Sequence, residues 1–163
     1  MEIRPEHPGE EQAVAALIDA AFASAEHSSG TEAEIVDRLR ADGALTISLV
    51  AVDDERIVGH LAYSPVTIDG NDRGWFGLGP VAVDPRHQRH GIGRQMIERG
   101  LNELRVAGAA GCVVLGEPDY YGRFGFNADG RLTFPGPPPH YFQALAFGDD
   151  KPAGTVAYHR AFG

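Results

Sequence analysis

A glycine-bearing turn between a strand and a helix has the residue types and spacing to bind an anion. It reads QRHGIG from Gln88 to Gly93 and follows the apolar stretch Val81–Val83. The first backbone N–H groups of a helix lack internal acceptors and lie at the positive end of the helix dipole. Glycines at positions 91 and 93 let a phosphate approach, and Arg89 and Arg94 add positive charge. The turn therefore predicts a cradle for a phosphate or pyrophosphate.

The spacing around this turn argues against two common nucleotide motifs. A Walker loop needs GxxxxGK followed by Ser or Thr, and the turn contains no lysine. A dinucleotide fingerprint needs three glycines as GxGxxG, whereas only Gly91 and Gly93 fit the pattern. The phosphate ligand must therefore be identified from the residues around the turn.

A second motif lies downstream and reads YYGRFGF from Tyr120 to Phe126. The turn resembles the Q/R-x-x-G-x-G/A motif of the GCN5-related N-acetyltransferases (the GNAT family), and the downstream motif resembles their Tyr-x-x-x-Gly-Phe signature. The resemblance extends over most of the chain and is strongest from Leu78 to Phe126. Its second motif is most similar to a bacterial branch of predicted acetyltransferases.

The resemblance implies a fold and a cofactor. The fold is α/β, a mixed and mostly antiparallel sheet of about seven strands with helices on both faces, in one domain over residues 1–163. Residues 75–83 and 112–115 should form a parallel pair that separates at the cofactor. The co-substrate is acetyl-CoA, whose pantetheine arm pairs with the first strand of this pair as an added strand would. The expected cofactor-binding residues are Val81, Ala82, Val83, Gln88, Arg89, His90, Gly91, Ile92, Gly93 and Arg94.

The same resemblance assigns candidate catalytic residues for acetyl transfer to an amine. Tyr121 stands four residues before Gly125, at the family's tyrosine position, where a phenol protonates the departing thiolate. The first two helices and their loop line the acceptor side in this family, which makes Glu32, our assigned candidate, and also Glu34 and His27 candidate bases. The remaining candidates are His60, which a structural role in mid-strand also explains, and His140. Cys112 lies in an apolar strand and is expected to pack in the core.

The periodicity of apolar residues predicts the elements that position these residues. Helices are expected over 10–23 and from 31 to about 43, and strands over 45–52 and 57–63 around a turn at 53–56. Pro80 in the strand over 75–83 indicates a bulge or an edge, and the long helix follows. The proline-rich stretch 131–140 is either a surface connection or a rim of the acceptor pocket. Strands over 141–147 and 155–158 are expected to form a final hairpin, and Trp75, Phe76, Tyr63 and Tyr141 line an apolar pocket or belong to the core.

Composition limits the remaining possibilities. The 163 residues carry a net charge of −9, which disfavours binding to nucleic acid or anionic membranes. No apolar run approaches the length of a membrane span, and the acidic N-terminus does not resemble a signal peptide. The single cysteine excludes an internal disulfide and favours a cytoplasmic protein, and the histidines lack zinc-site spacing. The resemblance is also compatible with a homodimer.

A nucleotide-binding protein is disfavoured, because the turn lacks the residues of the two common nucleotide motifs. Two other function classes remain. The first is an acetyl-CoA-dependent N-acetyltransferase that acts on a primary amine of a small molecule or protein. The second is a non-catalytic CoA-binding module of the same fold, which would retain the glycine turn but would not catalyse a reaction. The presence of Tyr121 favours the enzyme.

Overall fold

A mixed β-sheet with helices runs through the computed structural model of the protein, which describes residues 1–23 and 30–163. Within these residues the sheet has eight strands rather than the seven expected. The strands are β1 (Glu2–Pro5), β2 (Ile47–Asp53), β3 (Arg56–Ile68), β4 (Asn71–Val83), β5 (Gly111–Leu115), β6 (Leu132–Thr133), β7 (Phe142–Ala146) and β8 (Gly154–Ala157). The helices are α1 (Glu11–Phe22), α2 (Glu32–Ala41), α3 (Ile92–Val106) and α4 (Pro118–Tyr121).

The order of the main sheet is β1-β2-β3-β4-β5-β7. Strands β4 and β5 are parallel, from Trp75 opposite Gly111 to Leu78 opposite Val114, which confirms the expected parallel pair. The other neighbours along this order are antiparallel. The connection through α3 is the long crossover that a parallel pair requires.

The prediction of a final hairpin is wrong. Strand β7 pairs along the other edge of β5, whereas β8 pairs with the end of β3 and with the short β6. Strand β5 is buried from Gly111 to Val114, so the backbone groups along both of its edges need partners. Strand β7 supplies those partners, and the chain then crosses to β8 instead of turning back on itself.

Neighbouring residues of the central strands face opposite helical layers. Leu49 packs in a core cluster with residues of α3, whereas Val50 packs with residues of α1 and α2. This alternation is the period-two pattern of a sheet, and it places helices on both faces as predicted. Among the described helices, none has both the length and the apolar character needed to cross a membrane.

Helix α3 lies unusually close to the sheet because Gly100 faces Tyr63. Both residues are buried, and a Cβ atom at Gly100 would overlap the Tyr63 ring. The Tyr63 hydroxyl donates a hydrogen bond to the carbonyl oxygen of Ile97 at 3.0 Å. The position of α3, and with it the start of that helix at Ile92, therefore depends on a glycine at this point.

Replacing Gly100 with alanine tests this close approach. Helix propensity alone predicts that G100A stabilises α3 by roughly 0.5–1 kcal/mol. Overlap with the Tyr63 ring instead predicts a loss of about 1–3 kcal/mol in the free energy of unfolding. Urea denaturation decides the sign, with N102A at an exposed position of α3 as the control. A stabilised G100A protein would contradict the packing described here.

Candidate functional site

A β-bulge in β4 separates the parallel strands. Leu61 of β3 lies opposite Val81, but Tyr63 lies opposite Leu78, so Gly79 and Pro80 together face one residue of β3. The pairing of β4 with β5 ends at Leu78. From 79 to 83, β4 pairs with β3 only, and no strand of the described residues covers its other edge. This edge leaves backbone groups open to an extended ligand, beside the bulge that Pro80 predicted.

The glycine turn begins directly after this open edge. The Asp84 carboxylate accepts a hydrogen bond from the Arg86 N–H at 2.9 Å, which starts a short 3-10 turn over Pro85–His87. The Gln88 side chain then donates to the carbonyl oxygen of Val83 at 3.2 Å. Gln88 therefore fastens the turn to the end of β4.

The backbone conformation of the turn exposes the start of α3. Gly91, at φ +78°, is the residue before the helix and adopts the left-handed conformation, as does Arg89 at φ +69°. Arg89, His90 and Gly91 are exposed, whereas Ile92 is buried and anchors the helix to the core. The N–H groups of the first helical turn have no acceptors within the helix, so they remain available to an anion.

The basic side chains near the turn differ in their surroundings. Arg94 is exposed and its guanidinium donates to Glu98, one helical turn further on, at 3.0 Å. His87 Nε2 lies 3.5 Å from the Asp53 carboxylate. A phosphate at the turn would compete with Glu98 for Arg94. The Arg94–Glu98 ion pair is exposed and contributes little to stability, so the arginine could exchange one partner for the other.

Tyr121 occupies the end of α4 and is mostly buried. Its ring packs so closely over Gly116 that a Cβ atom there would overlap it, and it meets the Phe126 ring edge-on at 6.1 Å. Burial raises the pKa of the Tyr121 phenol to about 12. The hydroxyl therefore keeps its proton over the working pH range and has a proton to give.

Tyr120 lies on the other side, towards the glycine turn. A Cβ atom at Gly93 would be 3.4 Å from the Tyr120 hydroxyl oxygen, and the Arg123 guanidinium stacks 4.6 Å from the Tyr120 ring centre. Adjacent tyrosines of one short helix thus face different parts of the site.

A cavity of about 730 Å³ opens beside the separated strands and includes Tyr121. Its described lining comes from β4 and the end of β5, from the facing ends of α1 and α2, and from two segments near the C-terminus. The lining residues are Phe22, Glu32, Ile35, Leu78, Gly79, Pro80, Val81, Leu115, Tyr121, Phe134, Pro135, Thr155, Val156, Ala157, Tyr158, His159, Phe162 and Gly163. The cavity thus joins the predicted acceptor-side helices to the predicted general acid.

The candidate bases that the structure describes lie in different places. Glu32 lines it, whereas Glu34 is exposed and bonded to Arg38 at 2.6 Å. His140 stacks on Tyr141 and lines a separate cavity of about 320 Å³. His27 lies outside the described residues. Of the candidates that the structure describes, Glu32 is therefore the one on the wall shared with Tyr121.

His60 is fully buried away from the cavity, in a polar cluster beneath α2. Its Nε2 atom lies 2.8 Å from the Ser48 hydroxyl, which donates to Glu6 at 2.6 Å. The Arg40 guanidinium in turn donates to the Glu6 carboxylate at 2.8 Å. Burial, with a smaller contribution from the charge of Arg40, lowers the pKa of His60 to about 4. His60 is therefore a structural residue that packs uncharged at neutral pH.

Several residues of the cavity were not predicted as site residues. The proline-rich stretch contributes Phe134 and Pro135 to the cavity lining. This agrees with the interpretation of the stretch as the rim of a pocket and not with that of a simple surface connection. Tyr158, His159 and Phe162 were missed because the end of the chain was interpreted only as a strand. The four aromatic residues considered for a pocket, Trp75, Phe76, Tyr63 and Tyr141, are not part of this cavity, and the first and third are buried in the core.

Other reactive groups play no part in this cavity. Cys112 is buried and free, and burial raises the pKa of its thiol well above the ordinary value. Across residues 1–23 and 30–163, no group of three or more His, Cys, Asp or Glu side chains converges as a metal site would.

The separated strands, the helix start and the partly buried tyrosine are the features expected of a protein class that binds a phosphate-bearing ligand with an extended arm. A family model described as an acetyltransferase (GNAT) domain matches residues 2–128. The chain therefore belongs to the GNAT acetyltransferase family, and the predictions of this fold and of an N-acetyltransferase are confirmed.

Relatives match over nearly the whole chain. The uncharacterized N-acetyltransferase YhbS of Escherichia coli K12 is 39% identical and covers 99% of this chain and 98% of its own. A crystal structure of a GNAT family acetyltransferase from Brucella melitensis in complex with acetyl-CoA is 50% identical, with a TM-score of 0.90 over 99% of this chain and 97% of that one. The E. coli YhbS structure in complex with CoA gives 38% identity and a TM-score of 0.90, over 99% and 91% of the two chains.

The low pKa of His60 predicts a pH dependence of stability. His60 titrates near pH 6.5 when unfolded and near 4 when folded, so between these values the unfolded chain binds the extra proton. The stabilisation is complete above pH 6.5 and is lost as the pH falls towards 4, by about 3 kcal/mol in all. Chemical denaturation from pH 7 to 4 should show this loss in the wild type and a shallower one in H60Q. Equal slopes for the two proteins would contradict the assignment.

Proposed function

We propose that this chain transfers the acetyl group of acetyl-CoA directly to a primary amine of a small molecule or protein. The observation that carries the proposal is the open edge of β4 at residues 79–83, which leads from Tyr121's cavity to the glycine turn before α3. Two structures similar to this chain hold acetyl-CoA or CoA, which supports the same ligand here. We further propose that residues 1–163 act as one domain in the cytoplasm, where acetyl-CoA is available.

The glycine turn would hold the pyrophosphate of the cofactor. The N–H groups at the start of α3 point outward, and Gly91 and Gly93 leave the space in front of them free of side chains. Arg89, His90 and Arg94 are exposed around this space, and the two arginines supply positive charge. Gln88 keeps the turn against Val83 while the ligand binds.

The pantetheine arm would lie along the open edge of β4. Val81 and Val83 are partly exposed, whereas Ala82 is buried towards α1 and α2, so the side chains mostly serve the core and the backbone meets the arm. Amide groups of the arm then take the place that a paired strand would occupy. An arm that runs along this edge away from the glycine turn would place the thioester at its far end in the cavity.

Transfer begins when a neutral amine attacks the thioester carbon. The C–N bond forms, the carbonyl electrons move to oxygen, and their return breaks the C–S bond. The departing thiolate takes a proton from the Tyr121 hydroxyl, and the new amide nitrogen loses a proton to the base, for which we propose Glu32. Proton transfer through water from base to acid restores Tyr121.

A non-catalytic CoA-binding module remains the alternative. It would use the glycine turn and the open edge of β4 equally well but would not need Tyr121 to keep a proton in the cavity. Cofactor binding and turnover must therefore be measured separately.

Cofactor binding is tested at Gly93. A Cβ atom there meets only ordinary contacts from the protein, so G93V should fold but block the phosphate. Acetyl-CoA at about 100 times its Kd should stabilise the wild type by about 2.7 kcal/mol, or roughly 5–10 °C. We expect G93V to lose this shift, while G148V, at an exposed glycine far from the turn, keeps it. A full shift in G93V would overturn the assigned phosphate site.

Turnover is tested at Tyr121. Loss of the general acid in Y121F should lower kcat by about 10²- to 10⁴-fold and leave the Kd of CoA unchanged. Single-turnover kinetics with calorimetric CoA binding separate the two effects. Y141F, which changes a tyrosine outside the cavity, is the matched control. An unchanged kcat in Y121F would contradict the role of Tyr121 as the general acid. If the wild type turned over none of the amines tested, the non-catalytic binding module would be favoured.

A further inference from the structure

A buried polar side chain that takes no direct part in the proposed reaction belongs to Gln143 of β7. Gln143 is 1% exposed and lies opposite Val114, which belongs to the core cluster that contains residues of α3. A buried amide is costly unless it is hydrogen-bonded. An apolar side chain would avoid this cost, so the bonds that the amide makes indicate its role.

The Gln143 amide holds the backbone at the point where β5 ends. Its Nε2 group donates to the carbonyl oxygen of Gly116 at 3.0 Å and, at the longer distance of 3.5 Å, to that of Tyr141. The Gly116 N–H donates to the same Tyr141 carbonyl oxygen at 3.0 Å. Because the paired residues of β5 and β7 end with Leu115 opposite Phe142, the Gln143 side chain continues the pairing beyond the strand.

The backbone held in this way is the surface on which Tyr121 rests. The Tyr121 ring packs so closely over Gly116 that no Cβ atom fits between them. The next residue, Glu117, accepts a hydrogen bond from the Tyr121 N–H at 3.0 Å, which fixes the start of α4 to the same segment. A shift of Gly116 would therefore shift the Tyr121 ring.

We propose that Gln143 is a positioning residue for acetyl transfer, which sets the place of the Tyr121 phenol in the cavity by holding Gly116. Gln143 does not belong to the described lining of the cavity, so it acts through Tyr121 and not on the ligands. A misplacement of about 1 Å can lower the rate of a reaction by about 10²-fold. This inference rests on the proposed function and adds a residue to its general acid.

The variant Q143M tests this role, because methionine keeps the length of the side chain but has no N–H to donate. Rates would be measured with saturating acetyl-CoA and n-butylamine, 2-phenylethylamine, spermidine or a lysine-containing peptide. We expect kcat to fall by about tenfold or more, with the Kd of CoA unchanged. Q12M, the same substitution at an exposed position of α1, should keep the wild-type kcat.

The same substitution in Y121F separates positioning from general damage to the fold. Q143M should change the kcat of Y121F by less than about twofold, because the hydroxyl that Gln143 positions is already absent. Damage to the fold would instead lower kcat by the same factor with and without the hydroxyl. The stoichiometry of CoA binding, measured by calorimetry, gives the folded fraction of each variant.

A second variant covers the case in which Q143M does not fold. Q143N keeps the amide on a shorter side chain that does not reach Gly116, and it should lower kcat in the same way. An unchanged kcat in the folded variants, or an equal loss in the wild type and in Y121F, would overturn the positioning role and leave the acetyltransferase in place.

Two other outcomes would overturn more than this inference. A full kcat in Y121F would remove the general acid, and with it the group that Gln143 positions. CoA binding by the wild type without turnover of any amine would overturn the proposed function, and the role of Gln143 with it.

Discussion

The site depends on one irregularity in the sheet, the point where two residues of β4 face one residue of β3. Gly79 and Pro80 form this bulge, and Pro80 has no N–H to offer a neighbouring strand. Strand β5 pairs with β4 up to Leu78 and no further, so the edge beyond Leu78 remains open within the described sheet. Every other part of the site is arranged around that edge, with the glycine turn at one end and the cavity of Tyr121 at the other.

The same strand also explains why one wall of the cavity is aromatic. Gly77 lies just before the bulge, and a Cβ atom there would be 2.6 Å from Cε1 of Tyr158. The missing side chain lets the Tyr158 ring pack directly over β4, and Phe134 and Phe162 then pack on that ring. These three residues lie beyond the 2–128 match to the family model, so this wall of the cavity is separate in sequence from the part of the site that resembles the family's motifs.

The sequence predicted those features that are encoded locally. The turn before α3, the apolar stripe of that helix and the bulge all follow from residues close together in the chain, and the structure has each of them. The pairing of β7 and β8 was predicted wrongly because it is decided by which buried edge lacks a partner, a property of the whole sheet. Gly100 and Gly77 were overlooked for a related reason, since their importance comes from Tyr63 and Tyr158, which are distant in sequence. That Glu32 lines the cavity while Glu34 is bonded to Arg38 also depends on the assembled fold.

The burial of the cavity beside the end of β5 has different consequences for the two groups that would exchange protons. Burial raises the pKa of Tyr121 to about 12, which keeps its hydroxyl protonated at neutral pH. An apolar cavity also limits the access of water, which would otherwise compete with the amine for the thioester. The same surroundings disfavour an ammonium ion, so an acceptor loses part of the hydration that keeps it protonated as it enters. In the proposed mechanism the amine therefore attacks in its neutral form, and Glu32 on the cavity wall accepts the proton that the nitrogen loses as the amide forms.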